Sequence, residues 1–380
     1  MNRILDAAVL GAGIAGSSTA KYLADKGWEV ALIDRRQFPR HKVCGEFLSP
    51  EAQSILKPLG LHELVESLHP STIHRASLTF GYGGALDIPL PGAAFGISRY
   101  ALDSALHRAA SSSGVQVQTG TNVTSVVPHG SGYTIEMKQG GERKVYQART
   151  VIAAWGTNSR VGDSRDGTRQ AMQNTYIGVK SHFRGIAMEP VVELYFFEGG
   201  YLGISPVADG VVNAAALLNR KAFQTTEKTI LGLIESASRR NPKLYQRLAE
   251  AVPIPGTQAA AAPVPLKGKP LAWDLFPYVG DAAIMIPPLC GDGMSMALRS
   301  ALLCARLANR YLSGEISLSS WRSEYTESIR REFKSPLQWG RLLQGWFSLP
   351  VVPRLLLGAA RIAPGLAYRL VKATRLRERE

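Results

Sequence analysis

Six residues near the start, Gly11-Ala-Gly13-Ile-Ala-Gly16, have the types and spacing that hold a diphosphate. Gly11 permits a tight turn, Gly13 lets the backbone approach the phosphates, and Gly16 allows close helix–strand packing. Free N–H groups at the start of the following helix, with its dipole, would stabilise the phosphate charge. Asp34 lies 18 residues beyond Gly16, at the end of the next strand, where a carboxylate accepts ribose hydroxyls. The elements that must position these groups are legible around them: strand Leu5–Leu10, helix Ile14–Lys26 closed by Gly27, and strand Glu29–Asp34. This strand–turn–helix–strand unit is a Rossmann opening, and taken alone it suits FAD and NAD equally.

Two further segments carry chemistry. Downstream stand Tyr278-Val-Gly280-Asp281-Ala-Ala and Pro287-Pro288-Leu-Cys290-Gly291-Asp292-Gly293-Met294, followed by a helix with Met296, Ala297 and Ala301. Upstream is Lys42-Val-Cys44-Gly45-Glu46-Phe-Leu-Ser49-Pro50. Cys44 reads either as a proton donor or reactive thiol, or as a small residue packed where bulk is excluded. Cys290 reads as packing, and Cys304 follows the apolar face of a helix and belongs to the core. The seven histidines, His41, His62, His69, His74, His107, His129 and His182, show no metal-ligand spacing, and each is expected at the surface. No nucleophile elbow, phosphate-binding lysine loop or metal site is present in the pattern.

Together these segments resemble the FAD-dependent oxidoreductases of the p-hydroxybenzoate hydroxylase superfamily. The Cys-Gly segment at Cys44 is similar to that of its geranylgeranyl reductase and tryptophan-halogenase-like branch. The resemblance covers roughly residues 1 to 310. It implies that Asp281 binds the ribityl chain, and that the Gly291–Gly293 loop and following helix face the pyrimidine edge of the isoalloxazine. A helix N-terminus suits that edge, because reduced flavin carries negative charge there. The resemblance also implies that Cys44 and Gly45 lie beside the ring and that Arg99, in Ser-Arg-Tyr-Ala-Leu-Asp103, reaches the FAD. The cofactor-binding set is then Gly11, Gly13, Ile14, Ala15, Gly16, Asp34, Arg35, Cys44, Gly45, Arg99, Val123, Gly280, Asp281, Gly291, Gly293 and Met294.

Departures from the family pattern matter. Ala154-Trp155-Gly156-Thr-Asn158-Ser-Arg160 stands where the superfamily has Asp-Gly, which calls direct reduction by NAD(P)H into question and leaves NAD(P)H or a partner reductase as electron source. The halogenase Trp-x-Trp-x-Ile-Pro signature is absent. The reductases' Tyr-x-Trp-x-Phe-Pro is thinned to Tyr201-Leu-Gly203-Ile-Ser205-Pro206, which would enlarge the substrate cavity.

The 380 residues, 45% of them hydrophobic, suffice for a large core. The net charge of +14 attracts phosphates, anionic lipid surfaces or nucleic acid without choosing among them. No zinc-finger, basic heptad or RNA-binding signature supports nucleic acid as a partner. Ten Lys or Arg and three Glu fall between Arg331 and Glu380, so half of the net charge lies in that segment. Its Trp339, Trp346, Phe347, Leu355, Leu356 and Leu357 suit either an interfacial helix or a helical cover on the protein's own core. Prolines and arginines interrupt every long apolar run there, so no spanning helix is expected. Three scattered cysteines fit a reducing cytoplasm. The basic segment would also suit peripheral membrane contact.

The expected fold is α/β with an α+β second domain. A discontinuous FAD-binding domain (1–71, 98–169 and 263–315) is interrupted by a strand-rich substrate domain (72–97 and 170–262), and a helical segment (316–380) follows. Thr72–Ile97 reads as antiparallel strands, Ser98–Ser113 as a helix, Val115–Met137 as two strands and Ala148–Ala154 as another. Thr226–Ser238 reads as a helix, and Trp273–Arg310 as a strand, a loop and a long helix. The leading expectation for activity is a flavin monooxygenase hydroxylating a hydrophobic aromatic or polyketide-like substrate. Reduction of a carbon–carbon double bond, with Cys44 supplying the proton, is the alternative. A non-catalytic lipid- or protein-binding carrier on a flavin fold is the rival from another class.

Overall fold

The computed structural model describes residues 4–157, 176–223, 229–266, 268–347 and 375–376. Two sheets organise it. The first has the order β6-β2-β1-β9-β8-β7, with β1 at Leu5–Leu10, β2 at Val30–Ile33, β6 at Gln116–Gln118, β7 at Thr121–His129, β8 at Gly132–Gln139 and β9 at Glu142–Ala153. β1 pairs in parallel with β2 and with β9, and β2 in parallel with β6. β1 is almost wholly apolar and buried because helices cover the sheet, as expected of an interior parallel strand. Helices α1 (Ile14–Asp25) and α4 (Arg99–Ser112) belong to this layer, and α7 (Gly293–Leu312) packs on α1.

The second sheet has nine strands. Its main path is β14-β10-β13-β12-β11-β4-β5-β3, and β15 (Ala259–Val264) joins β10. Its strands are β3 (Phe47–Leu48), β4 (Ser71–Phe80), β5 (Ala85–Gly96), β10 (Tyr176–Arg184), β11 (Val191–Phe197), β12 (Gly200–Pro206), β13 (Val212–Asn219) and β14 (Val252–Pro253). β4 and β11 pair in parallel, and the other pairings are antiparallel. The mixed α/β fold matches the class read from the sequence.

Several local expectations need correction. Val115–Met137 supplies three strands, β6, β7 and most of β8, instead of two. The strand expected after Trp273 is reduced to single bridges, Trp273 with Pro277 and Ala153 with Tyr278. Pro277 has no N–H to extend a ladder. Short helices α2 (Ala52–Leu56), α3 (His62–Glu66) and α6 (Pro242–Arg247) were not anticipated. For α6 a signal existed: Asn241 accepts the N–H groups of Lys243 and Leu244, and Pro242 follows it at the first helical position. α5 occupies Ile230–Ser238, capped by Thr229, within the predicted helix.

α8 (Leu318–Phe347) buries Trp321, Tyr325, Ile329, Phe333 and Leu337, one residue every four along a single stripe. Trp321 meets Trp273 edge to face at 5.1 Å, and the Tyr325 hydroxyl donates to the Tyr278 carbonyl at 2.6 Å. This part of the C-terminal segment therefore covers the protein's own core. Leu355, Leu356 and Leu357 lie outside the described residues. Among the described residues, no helix is long and apolar enough to cross a membrane.

Candidate active site

The glycine turn leaves β1 and enters α1. Gly11 has φ +112, and a Cβ there would stand 2.4 Å from the Ala154 carbonyl oxygen. A Cβ at Gly16 would stand 1.8 Å from the Gly11 carbonyl oxygen, so α1 can approach the strand only with glycine there. Gly13 differs. A Cβ there would meet nothing nearer than Arg99 Nη2 at 4.0 Å, so this side of the turn faces open space. No side chain caps α1. Asp34 braces the turn, its Oδ2 accepting the Ala12 N–H at 2.8 Å and its Oδ1 the Arg36 N–H at 2.8 Å. His107 Nε2 donates to the Ala12 carbonyl at 2.7 Å from beneath. His107 is buried, contrary to its expected surface position. A turn with free N–H groups, an open face at Gly13 and an adjoining carboxylate fits the diphosphate and ribose of a dinucleotide.

The downstream motif meets this turn. Gly280 has φ +61, its Cβ position lies 3.0 Å from Ala15 Cβ, and its N–H donates to Ser300 Oγ at 2.8 Å. Asp281 follows and pairs with Lys42 at 3.7 Å. Gly291, with φ +73, sits against Phe47, and Ser49 Oγ lies 2.6 Å from Ser295 Oγ in the first turn of α7. The three distant segments at Gly11–Gly16, Lys42–Ser49 and Gly280–Ser295 thus converge on one cleft. Ile14, Ala15 and Met294 are buried within it, whereas Arg35 is exposed beyond Asp34. Val123 is half-buried on β7, and Gly293 begins α7.

Arg99 links the turn to the cysteine loop. Its guanidinium grips Asp103 at 3.0 and 2.8 Å, fully buried on one face of α4. Burial opposes its charge, but the Asp103 carboxylate more than offsets this and its pKa is raised. Cys44 lies within reach of the same guanidinium. Its Sγ accepts the Glu46 N–H at 3.3 Å, and its carbonyl accepts from Asn213 Nδ2 at 2.9 Å. Cys290 is packed beneath Gly340 of α8, and burial pushes its thiol pKa up. Cys304 is wholly buried in the core.

Between this cleft and the second sheet lies a cavity of about 310 Å³. Leu78, Phe80, Leu194, Tyr201 and Leu217 form its apolar wall, and Cys44, Asp281 and Cys290 lie opposite. Tyr201, Gly203 and Ser205 all line it, so the two small residues of the thinned motif open space on the substrate side. Trp155, in place of the superfamily's Asp, packs edge to face on Tyr278 at 5.6 Å. Asn158 and Arg160 of the same motif lie outside the described residues.

Sequence reasoning missed two charged clusters. Glu46, Lys180 and His182 are buried together behind the cysteine loop. The surface position expected for His182 is therefore wrong, because β10 runs between β13 and two edge strands and buries its middle. Asp292, at the start of α7, is also buried and paired with Arg375, which approaches Glu51 to 3.8 Å. Burial raises the Asp292 carboxyl pKa to about 7, with the Arg375 charge opposing. Residues Gly178–Phe183 are all buried, a continuous stretch that the mixed polar and apolar residues of this strand do not announce.

Residues 5–248 match the model of the FAD binding domain family. The chain is 28% identical over 355 residues to a menaquinone reductase of Mycolicibacterium smegmatis, covering 88% of this chain and 83% of that protein. It is 26% identical to digeranylgeranylglycerophospholipid reductase 1 of Methanothermobacter thermautotrophicus, covering 86% and 83%. The structure of a myxobacterial chondrochloren halogenase, a FAD-dependent enzyme, superposes with a TM-score of 0.74 at 23% identity, covering 87% of this chain and 80% of that one. With its glycine turn, its second motif and its cysteine loop gathered at one cleft, the chain belongs to the FAD binding domain family, within the p-hydroxybenzoate hydroxylase superfamily of FAD-dependent oxidoreductases.

Proposed function

We propose that this oxidoreductase reduces carbon–carbon double bonds in the polyprenyl chain of a lipid. The observation that carries the reading is the position of Cys44, on the wall of a mainly apolar cavity of about 310 Å³ that Asp281 and Gly291 also line. Relatives named for reducing menaquinone and digeranylgeranylglycerophospholipid support it. The Gly11–Gly16 turn would hold the FAD diphosphate, Asp34 the adenosine ribose, Asp281 the ribityl chain and the start of α7 the ring's pyrimidine edge. Bound FAD supplies the hydride chemistry. Cys44 holds a proton at Sγ for the alkene carbon that does not receive hydride. The walls at Leu78, Phe80, Leu194 and Leu217 take the apolar chain and exclude water. Arg99 and Lys42 fix the two sides of the cysteine loop.

The test is anaerobic turnover of chemically reduced holoprotein with a geranylgeranyl lipid, followed by mass spectrometry. Product gaining two hydrogens per double bond without oxygen is expected. An oxygen-dependent gain of one oxygen atom would overturn the reading in favour of hydroxylation. Running the assay with NAD(P)H as sole reductant asks whether a partner reductase is required, which Trp155 favours.

A further inference from the structure

Buried charges are costly unless they are paired, and those retained beside a site are candidates for its chemistry. Glu46, Lys180 and His182 form such a group. Glu46 Oε1 accepts from Lys180 Nζ at 2.9 Å and from the Arg99 N–H at 2.9 Å, and Oε2 lies 2.5 Å from His182 Nε2. Lys180 Nζ is also 2.9 Å from His182 Nε2 and 3.3 Å from His41 Nδ1. Glu46 reaches this arrangement from a left-handed backbone, φ +55, which few side chains adopt without a compensating contact. The same residue donates its N–H to Cys44 Sγ.

The cluster has an inner and an outer end. Inside, Glu46 joins the two groups: its N–H donates to Cys44 Sγ at 3.3 Å and its Oε1 accepts from Lys180 Nζ at 2.9 Å. Outside, His41 stacks on Tyr100 at 4.8 Å, and Tyr100 is 42% exposed. The groups facing Lys180 Nζ are Glu46, Cys44 and His41 from the loop, His182 from its own strand and Arg99 from α4. Burial lowers the Lys180 pKa, which eases proton release, although the Glu46 carboxylate opposes it. Burial alone would raise Glu46, but the His182 hydrogen bond and the Lys180 charge hold its carboxyl below the usual range. It therefore stays ionised as the counter-charge.

We propose that Lys180, positioned by Glu46 and His182, is the proton store that re-protonates Cys44 after each turnover, with His41 as its link to solvent. This rests on the reading of Cys44 as proton donor. The proton that leaves Cys44 Sγ forms the new C–H bond, and the thiolate takes its replacement from Lys180 Nζ. Lys180 recovers a proton from solvent through His41. No electrons move in this cycle, since the pair that reduces the alkene comes from reduced flavin.

The test uses the FAD holoenzyme with Lys180→Arg, Lys180→Met, His41→Gln and Cys44→Ser. Iodoacetamide labelling of Cys44 across pH, read by peptide mass spectrometry, gives a measure independent of turnover, with buried Cys290 and Cys304 as internal references. Lys180→Met is expected to move the labelling profile to higher pH, and Lys180→Arg, which keeps the charge, to leave it in place. Arginine does not release its proton, so Lys180→Arg should still slow steady-state turnover on the order of a hundredfold. His41→Gln, at a half-buried position, should slow turnover in a way that added imidazole restores, and this arm stands if the Lys180 variants do not fold. Wild-type turnover in His41→Gln or Lys180→Arg, or an unmoved labelling profile in Lys180→Met, overturns the proposal. If Cys44→Ser retains wild-type turnover, the reading of Cys44 itself fails. If Cys44→Ser is inactive while Lys180→Arg is unimpaired, only the relay fails.

Discussion

The two walls of the central cavity are made differently. On the cofactor side the shape belongs to the main chain: Gly291 lines the cavity at positive φ, and in the segments packed with it Gly11 and Gly280 also adopt positive φ and Gly16 has no room for a Cβ. On the other side β4, β5, β11, β12 and β13 present interchangeable apolar side chains, and Gly203 and Ser205 leave open space. A wall of backbone fixes one ligand, since changing any of its residues moves the atoms that bind. A wall of side chains sets volume and polarity, so it can change its ligand without disturbing the fold. The difference explains how one fold serves relatives named as reductases and as halogenases.

Substitutions on each wall can break this contrast. The largest effect is expected for Gly13→Asp, whose carboxylate would project into the open face beside the turn. The protein should purify colourless, and a retained flavin absorbance would remove the turn from the cofactor site. Next is Gly16→Ala, where the added methyl must displace Gly11 or the helix. Overpacking of this kind costs about 1–3 kcal/mol, measurable by denaturant unfolding. Leu217→Ala on the opposite wall should cost about 2 kcal/mol, the low end for a buried leucine because it already borders a cavity. It should leave flavin content unchanged.

The smallest effect concerns pH. The folded-state pKa of Glu46 is lowered, so its contribution to stability is fully present above the ordinary carboxylate value of about 4.3 and is lost as pH falls through the folded value. Wild-type stability should decline on acidification below that point, and Glu46→Gln should show a shallower decline. Equal slopes for the two proteins would show that the cluster does not hold Glu46 ionised.

The same contrast governs what could be read from the sequence. Gly11, Gly16, Gly280 and Gly291 were legible because positive φ or the lack of room for a Cβ restricts residue type at those positions. The parallel strands β1 and β2 and helices α1, α4 and α7 were legible through their apolar periodicity. The opposite wall left only the thinned Tyr201–Pro206 motif, since many apolar sets fill the same volume. The Glu46–Lys180–His182 cluster joins residues 134 and 136 positions apart, which no local pattern can pair. Arg375 was hidden for another reason. It lies in a basic segment that suits either an interfacial helix or a cover on the core, and neither reading singles out this arginine, which is buried against Asp292.

Ala215 lines the cavity on β13, across from Gly203 in the register. In one preparation of Ala215→Phe, the flavin-to-protein ratio and the anaerobic reoxidation of reduced flavin by a geranylgeranyl lipid can be recorded together. Independent walls predict one flavin per chain, as in wild type, with lipid-driven reoxidation lost. Loss of the flavin, or reoxidation at the wild-type rate, would contradict the account.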